Sequence, residues 1–267
     1  DVSFVKPGYE VEKLPVSQTG DEVMLLADAL PEAVFSVHSS KSTAAQNIAQ
    51  SGMPLDLILV DDGFQHWQLH RNLDVVTYDA AVPPGQLKMF PNGVLREPKS
   101  SLKRADIIVI TRSKFAKDLT RLTERLQKLS PQADIYSARF SMGELVGKSG
   151  NMPLKYLEDK SVFLFAGIGN FRSFEKNVRL LTHNLDYKLE LSDHQKYTDE
   201  VFNRIKVLAN KYESQILLTT GKDWFKIRHF DFGRELYYLS QTVDIDPGEE
   251  KLVSRLLEKI GVKREVG

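Results

Sequence analysis

The chain has 267 residues, 42% of them hydrophobic and 27% charged, enough to bury one large core or two modest ones. Lysine plus arginine and aspartate plus glutamate each total 36, so no global basic field exists to drive nucleic-acid binding, and an anionic ligand must be held by local clusters. Without cysteine there are no disulfides, thiolate metal sites or thiol nucleophiles, which fits a reducing, cytoplasmic setting, and no apolar run approaches the roughly 20 residues of a spanning helix. The first residue is Asp rather than Met, so the chain is expected to be a piece of a longer product.

In chain order, "VSQTGDEVMLLADAL" (16–30) reads as a loop opening into a helix, with Asp21 and Glu22 complementing the helix dipole and Val23, Leu26 and Leu30 turned inward. A short strand is expected at 34–38. "LILVDDGFQHWQL" (57–69) reads as the end of an apolar strand, 56–61, that terminates in two adjacent carboxylates. Asp61 and Asp62 repel each other there unless a cation or donor cluster neutralises them, and a hydrated Mg²⁺ prefers just such a set of one or two carboxylates plus waters and phosphate oxygens. The plainer alternative has Asp61 capping the next turn and Asp62 facing solvent. A phosphatase of the haloacid-dehalogenase type carries its second acid two positions on, where this chain has Gly63, so the spacing favours a nucleotide-associated metal site over an aspartyl-phosphate nucleophile.

Strands are expected next at 73–79 and 106–111, separated by "FPNGVLREPKSSLKRADIIVITRSK" (90–114). Arg96 offers a bidentate fork for phosphate and Glu97 can share a metal or orient that fork. Lys99, Lys103, Arg104, Arg112 and Lys114 add positive charge, either to an anion pocket or to an ordinary solvated face. A helix over 115–129 places Phe115, Leu119, Leu122, Leu126 and Leu129 on one buried stripe. After a strand at 134–138, the glycine-rich stretch 141–160 is the expected domain boundary, or more simply a surface hairpin.

The second half alternates similarly. A strand at 161–166 runs into "FAGIGN" (165–170), whose Gly167 and Gly169 sit at a strand-to-helix junction and permit tight packing. A strand at 186–191 precedes Asp193, His194 and Tyr197, with His194 placed for proton work. A helix over 198–211 starts at Thr198, and a strand at 215–220 leads into Thr219, Thr220, Gly221, Lys222 and Asp223, a turn whose amides and Lys222 suit an anion. A final strand is expected at 235–239. Nowhere does G-x-x-x-x-G-K-[ST] occur. Alternation of this kind implies mostly parallel sheets covered by helices.

The order GDE, VDDGFQH, LREP, FAGIGN, DH-x-x-Y, LTT-x-KD resembles the tetraacyldisaccharide 4'-kinase family over about residues 8–240. The resemblance implies a three-layer α/β/α P-loop NTPase-like domain over 1–150, lacking its first strand, P-loop and helix, and then a smaller α/β domain over 151–267 that completes the cleft. It implies ATP and Mg²⁺ as cofactors and a tetraacyl glucosamine disaccharide 1-phosphate, phosphorylated on its 4' hydroxyl in lipid A biosynthesis, as substrate. Asp21 and His194 would form the catalytic pair; Asp61, Asp62 and Glu97 would serve the metal; Arg96, Gln65, His66 and Lys222 would meet phosphate or substrate. The enzyme would sit peripherally on the cytoplasmic face of the bacterial inner membrane, with no nucleic-acid partner. Two departures stand out. The family's P-loop is absent upstream of GDE, where "VKPGYE" (5–10) resembles a worn remnant of the family's Arg-Gly-Tyr stretch, and Gly221 stands where relatives carry Glu. Without the P-loop, little ATP affinity is expected of this polypeptide alone. The rival readings are a sugar-lipid-binding relative without catalysis and, more weakly, a phosphatase using Asp61.

Overall fold

The computed structural model describes residues 3–5, 21–193 and 195–261, and the side chains of Asp21 and Glu22 lie outside the description. In chain order the elements are β1 (Ser3–Val5), α1 (Asp21–Ala29), β2 (Phe35–Val37), α2 (Lys41–Ala49), β3 (Val75–Asp79), β4 (Ile107–Thr111), α3 (Leu119–Leu129), β5 (Asp134–Gly147), β6 (Gly150–Met152), β7 (Val162–Ala166), α4 (Phe171–Arg179), β8 (Leu185–Glu190), α5 (Asp199–Lys211), β9 (Ile216–Thr219), α6 (Gly221–Ile227), β10 (Glu235–Asp246) and α7 (Glu249–Ile260). The result is a mixed α/β fold dominated by parallel strand pairs.

The chain groups into two compact units, each discontinuous in sequence: Asp1–Pro54 with Met142–Gln241, and Leu55–Ser141 with Thr242–Gly267. A linear division near residue 150 groups the residues differently, because the long strands β5 and β10 each pass from one unit to the other.

In the first unit, β9, β7 and β8 run parallel, with β10 on the other side of β9. Every residue of β7 and β9 is buried, as expected for continuous apolar runs, VFLFA and ILLT, covered on both faces. One face packs Leu164, Ala166, Leu218 and Tyr237 against Phe171 and Val178 of α4; the other packs Phe163, Phe165 and Leu217 against Ile205 and Ala209 of α5. Glycine-rich 141–160 folds as the hairpin that its composition allowed, β6 pairing antiparallel with the end of β5.

In the second unit, β3, β4 and β5 are parallel and in register, with β10 beside β5. Helix α3 is capped by Asp118, whose carboxylate accepts from Arg121 N at 2.9 Å, and lays Leu119, Leu122 and Leu126 on Ile108 and Ile110. Leu252 and Leu256 of α7 cover Ile107, Val109 and Tyr136 on the opposite face.

Three local expectations fail for physical reasons. Residues 56–61 form no strand: among the described residues none pairs with them, and Leu57, Ile58 and Leu59 stay exposed in a segment without regular structure. An apolar sequence needs a neighbouring backbone before it becomes a strand. Phe115 is exposed and outside α3, because Ala116 is extended and a separate short turn, Ser113–Phe115, precedes the cap. In α1 the inward face is Val23 and Ala27, packed on Phe35, while Leu26 and Leu30 point to water.

Candidate functional site

The acid pair of the second unit sits in a turn rather than at a strand end. Asp62 takes the left-handed conformation, φ +50°, which Asp tolerates better than most residues, and buried Gly63 comes next. Both carboxylates are exposed. Arg96 Nη1 donates to Asp62 Oδ2 at 2.9 Å and reaches Gln65 Oε1 at 3.4 Å, so the LREP arginine, the second aspartate and the glutamine of DDGFQH converge although separated by about thirty residues of chain. Arg96 and Asp62 are about two-thirds exposed (67% and 65%), so this pair organises the surface more than it stabilises the fold. His66 enters the same turn through its backbone, its N–H donating to Gly63 O at 3.0 Å and its carbonyl accepting from Arg71.

Glu97 is engaged elsewhere. Arg104 donates Nη1 to its Oε2 at 3.0 Å and Nη2 to its Oε1 at 3.2 Å, a two-pronged pair, and Nη2 also reaches the Phe64 carbonyl at 3.3 Å. The guanidinium carbon lies 4.2 Å from the Phe64 ring centroid and 3.9 Å from that of Trp67. Arg104 therefore ties the LREP segment to the DDGFQH segment. The sequence left Arg104 as part of either an anion pocket or an ordinary solvated face; only the fold shows that it meets Glu97, Phe64 and Trp67. Arg112 is likewise paired, with Asp79, at the carboxyl ends of β4 and β3. Among the described residues no group of three or more His, Cys, Asp or Glu side chains gathers to hold a metal.

The hydrogen bonds from Arg104 hold the Glu97 carboxyl below the usual glutamate range. A carboxyl depressed in the folded state contributes stability that is present above its unfolded value, about pH 4.3, and is lost as pH falls through the lower folded value. The urea midpoint should therefore drop below about pH 4, and Glu97→Gln should flatten that part of the curve; equal slopes in the two proteins would show that the pair carries no linkage.

In the first unit, Asp21 begins α1, and its side chain and His194 lie outside the described residues. Helix α1 packs on α6, Leu25 approaching Gly221. A Cβ at Gly221 would meet Leu25 and Tyr238 at ordinary contact distances, 3.5–3.6 Å, so a glycine is not sterically required there. Asp223, wholly buried, accepts from Gly167 N at 2.9 Å and from Thr220 Oγ1 at 2.8 Å. Gly167 is a glycine because a Cβ there would stand 2.8 Å from Ser192 O and 2.7 Å from Gln195 Cβ. Lys226 Nζ reaches Gln195 O at 3.4 Å. The strand ends of β7 and β8 and the start of α6 thus hold the chain on either side of position 194, in the same compact unit as Asp21. Lys222 lies on α6, half-buried and engaged in interactions of its own.

The family model for tetraacyldisaccharide-1-P 4'-kinase matches residues 5–261. A tetraacyldisaccharide 4'-kinase of Halothermothrix orenii is 34% identical over 229 residues, covering 81% of this chain and 59% of that protein. Its counterpart in Desulfotalea psychrophila is 31% identical over 263 residues, covering 98% of this chain and 75% of that protein. Among solved structures, the "apo" form of LpxK from Aquifex aeolicus, in complex with ATP, aligns with a TM-score of 0.71 at 23% identity, covering 97% of this chain and 75% of that one. At that identity the likeness shows a shared fold. The chain spans 59% of the length of the first of these relatives and 75% of the second.

Proposed function

This chain belongs to the tetraacyldisaccharide-1-P 4'-kinase family, and from that premise we propose that it serves ATP-dependent phosphorylation of the 4' hydroxyl of a tetraacyl glucosamine disaccharide 1-phosphate, a step of lipid A biosynthesis. The observation that carries the reading is the family match over 5–261 together with the convergence of Asp62, Gln65 and Arg96 in one turn. Phosphoryl transfer asks a protein mainly to position the reactants and neutralise charge. Arg96 meets phosphate in this reading, and the hydrogen bond from Arg96 to Asp62 is consistent with a carboxylate that orients it until a ligand arrives. Asp61 and Asp62 suit a hydrated Mg²⁺, which needs only one or two carboxylates beside water and phosphate oxygens. When bound, that ion supplies countercharge to the transferred group. Glu97 serves better as the counterion of Arg104, since both its oxygens accept from it. Asp21 accepts the proton of the attacking hydroxyl, and His194 orients it.

No helix of the described residues is long and apolar enough to cross a membrane. A peripheral place on the cytoplasmic face of the inner membrane suits a substrate whose acyl chains stay in the bilayer. A second reading, a sugar-lipid-binding relative without catalysis, has one observation behind it: no G-x-x-x-x-G-K-[ST] stretch occurs in these 267 residues. Incubation of the protein with γ-labelled ATP, magnesium and detergent-dispersed disaccharide lipid separates the two. Label transferred to the lipid only at nucleotide concentrations high enough to offset the weak affinity expected without a P-loop, and lost when magnesium is chelated, is the expected result; lipid binding with no transfer under any nucleotide concentration favours the binder.

A further inference from the structure

Residues 83–95 of the second unit form a loop whose backbone is bonded back on itself. Gln86 N donates to Pro83 O at 2.9 Å, Val94 N to Gln86 O at 3.0 Å, Leu95 N to Lys88 O at 3.0 Å and Phe90 N to Leu95 O at 2.8 Å. Gly93 closes it, because a Cβ there would overlap the carbonyls of Gln86 and Lys88. This ordered frame holds three large apolar side chains in water: Met89 is 44% exposed, Phe90 77% and Val94 55%. Isolated apolar residues on a surface are ordinary, but three on one small, internally bonded loop mark a surface that meets something.

Charge tells what. Lys88, exposed, adjoins the apolar tip, and Lys99 lies just beyond it in the chain, as does Arg96, whose guanidinium is paired with Asp62. The one acid between residues 83 and 100 is Glu97, whose oxygens accept from Arg104. An apolar tip in a basic frame complements the boundary between anionic headgroups and acyl chains, where rings and thioethers enter and lysines stay with the phosphates. We propose that the 83–95 loop is a bilayer-docking element, its Met89, Phe90 and Val94 inserted among acyl chains and Lys88 against anionic headgroups. The proposal rests on the lipid-kinase reading, which is what makes a bilayer rather than a protein the occupant. Docking there would bring the neighbouring Arg96 turn to the level at which a membrane-held sugar phosphate lies.

Co-sedimentation with vesicles tests it. The protein is expected to pellet with phosphatidylethanolamine–phosphatidylglycerol vesicles and less with neutral phosphatidylcholine. The triple variant M89S/F90S/V94S should bind the anionic vesicles about tenfold more weakly or worse, and Lys88→Glu should remove most of the preference for anionic over neutral lipid. Unchanged near-ultraviolet circular dichroism and urea midpoints verify that both variants remain folded. A folded triple variant that binds like the wild type overturns the proposal, as does a wild-type protein that stays in the supernatant with both lipids. The kinase reading is judged separately, on detergent-dispersed acceptor, where the triple variant should turn over like the wild type. Absence of transfer there by the wild type counts against the kinase and leaves the vesicle result standing.

Discussion

Replacing Asp21 or His194 by Ala in the intact protein is expected to lower kcat by about 10²- to 10⁴-fold, the range that a positioned general base supplies, while ATP binding should change little. The two substitutions should not add. If His194 acts by orienting the Asp21 carboxylate, the double variant is no slower than the worse single one. The closely held surroundings of position 194 motivate this expectation: Gly167 admits Ser192 and Gln195 at close range, Asp223 accepts the Gly167 N–H, and α1 packs on the same helix that bears Asp223. Single-turnover measurements, which separate chemistry from binding, check it. Near-normal turnover in both single variants would remove the pair from the mechanism.

Arg104→Ala should be the most disruptive change around the acid turn, costing about 2–4 kcal/mol of stability. It would leave Glu97, whose side chain is only 18% exposed, without its partner, and strip the cation from between Phe64 and Trp67. Lysine should not restore what is lost, because an ammonium cannot present two parallel donors to Glu97 while lying flat on an aromatic face. Because the same guanidinium joins residues 64–67 to residues 96–97, the variant should also raise KM for the proposed lipid acceptor, whereas Arg96→Ala should leave stability nearly unchanged. Urea denaturation of the two variants decides the point: a loss below about 0.5 kcal/mol for Arg104→Ala, the size usual for surface pairs, would mean the contact organises nothing.

Where residues bury both faces, the chain spells out its structure. Ile107–Thr111, Val162–Ala166 and Ile216–Thr219 are continuous runs of strand length, apolar but for a closing threonine in two of them, each within a residue of its expected bounds, because a parallel strand covered on both faces removes such a run from water. The same local chemistry predicts the Thr198 start of α5 and the stripe of α3 from Leu119 onward. The motif series also pointed to the family whose model matches residues 5–261.

Other features depend on partners far along the chain, and no window of sequence contains them. Residues 56–61 are apolar enough for a strand, yet a strand exists only when another backbone satisfies its N–H and C=O groups, and none of the described residues does so. β5 and β10 extend well beyond their apolar starts, to 14 and 12 residues, because pairing with neighbours continues where hydrophobicity ends. Arg104 and Arg112 look like solvated charge until the fold sets Glu97, Phe64, Trp67 and Asp79 against them. Residue types and their spacing determined which elements form and which family the chain joins; the tertiary structure alone decided which charges meet, since an ion pair is a matter of distance in space and Asp62 and Arg96, 34 apart in sequence, carry no local mark of lying 2.9 Å from each other.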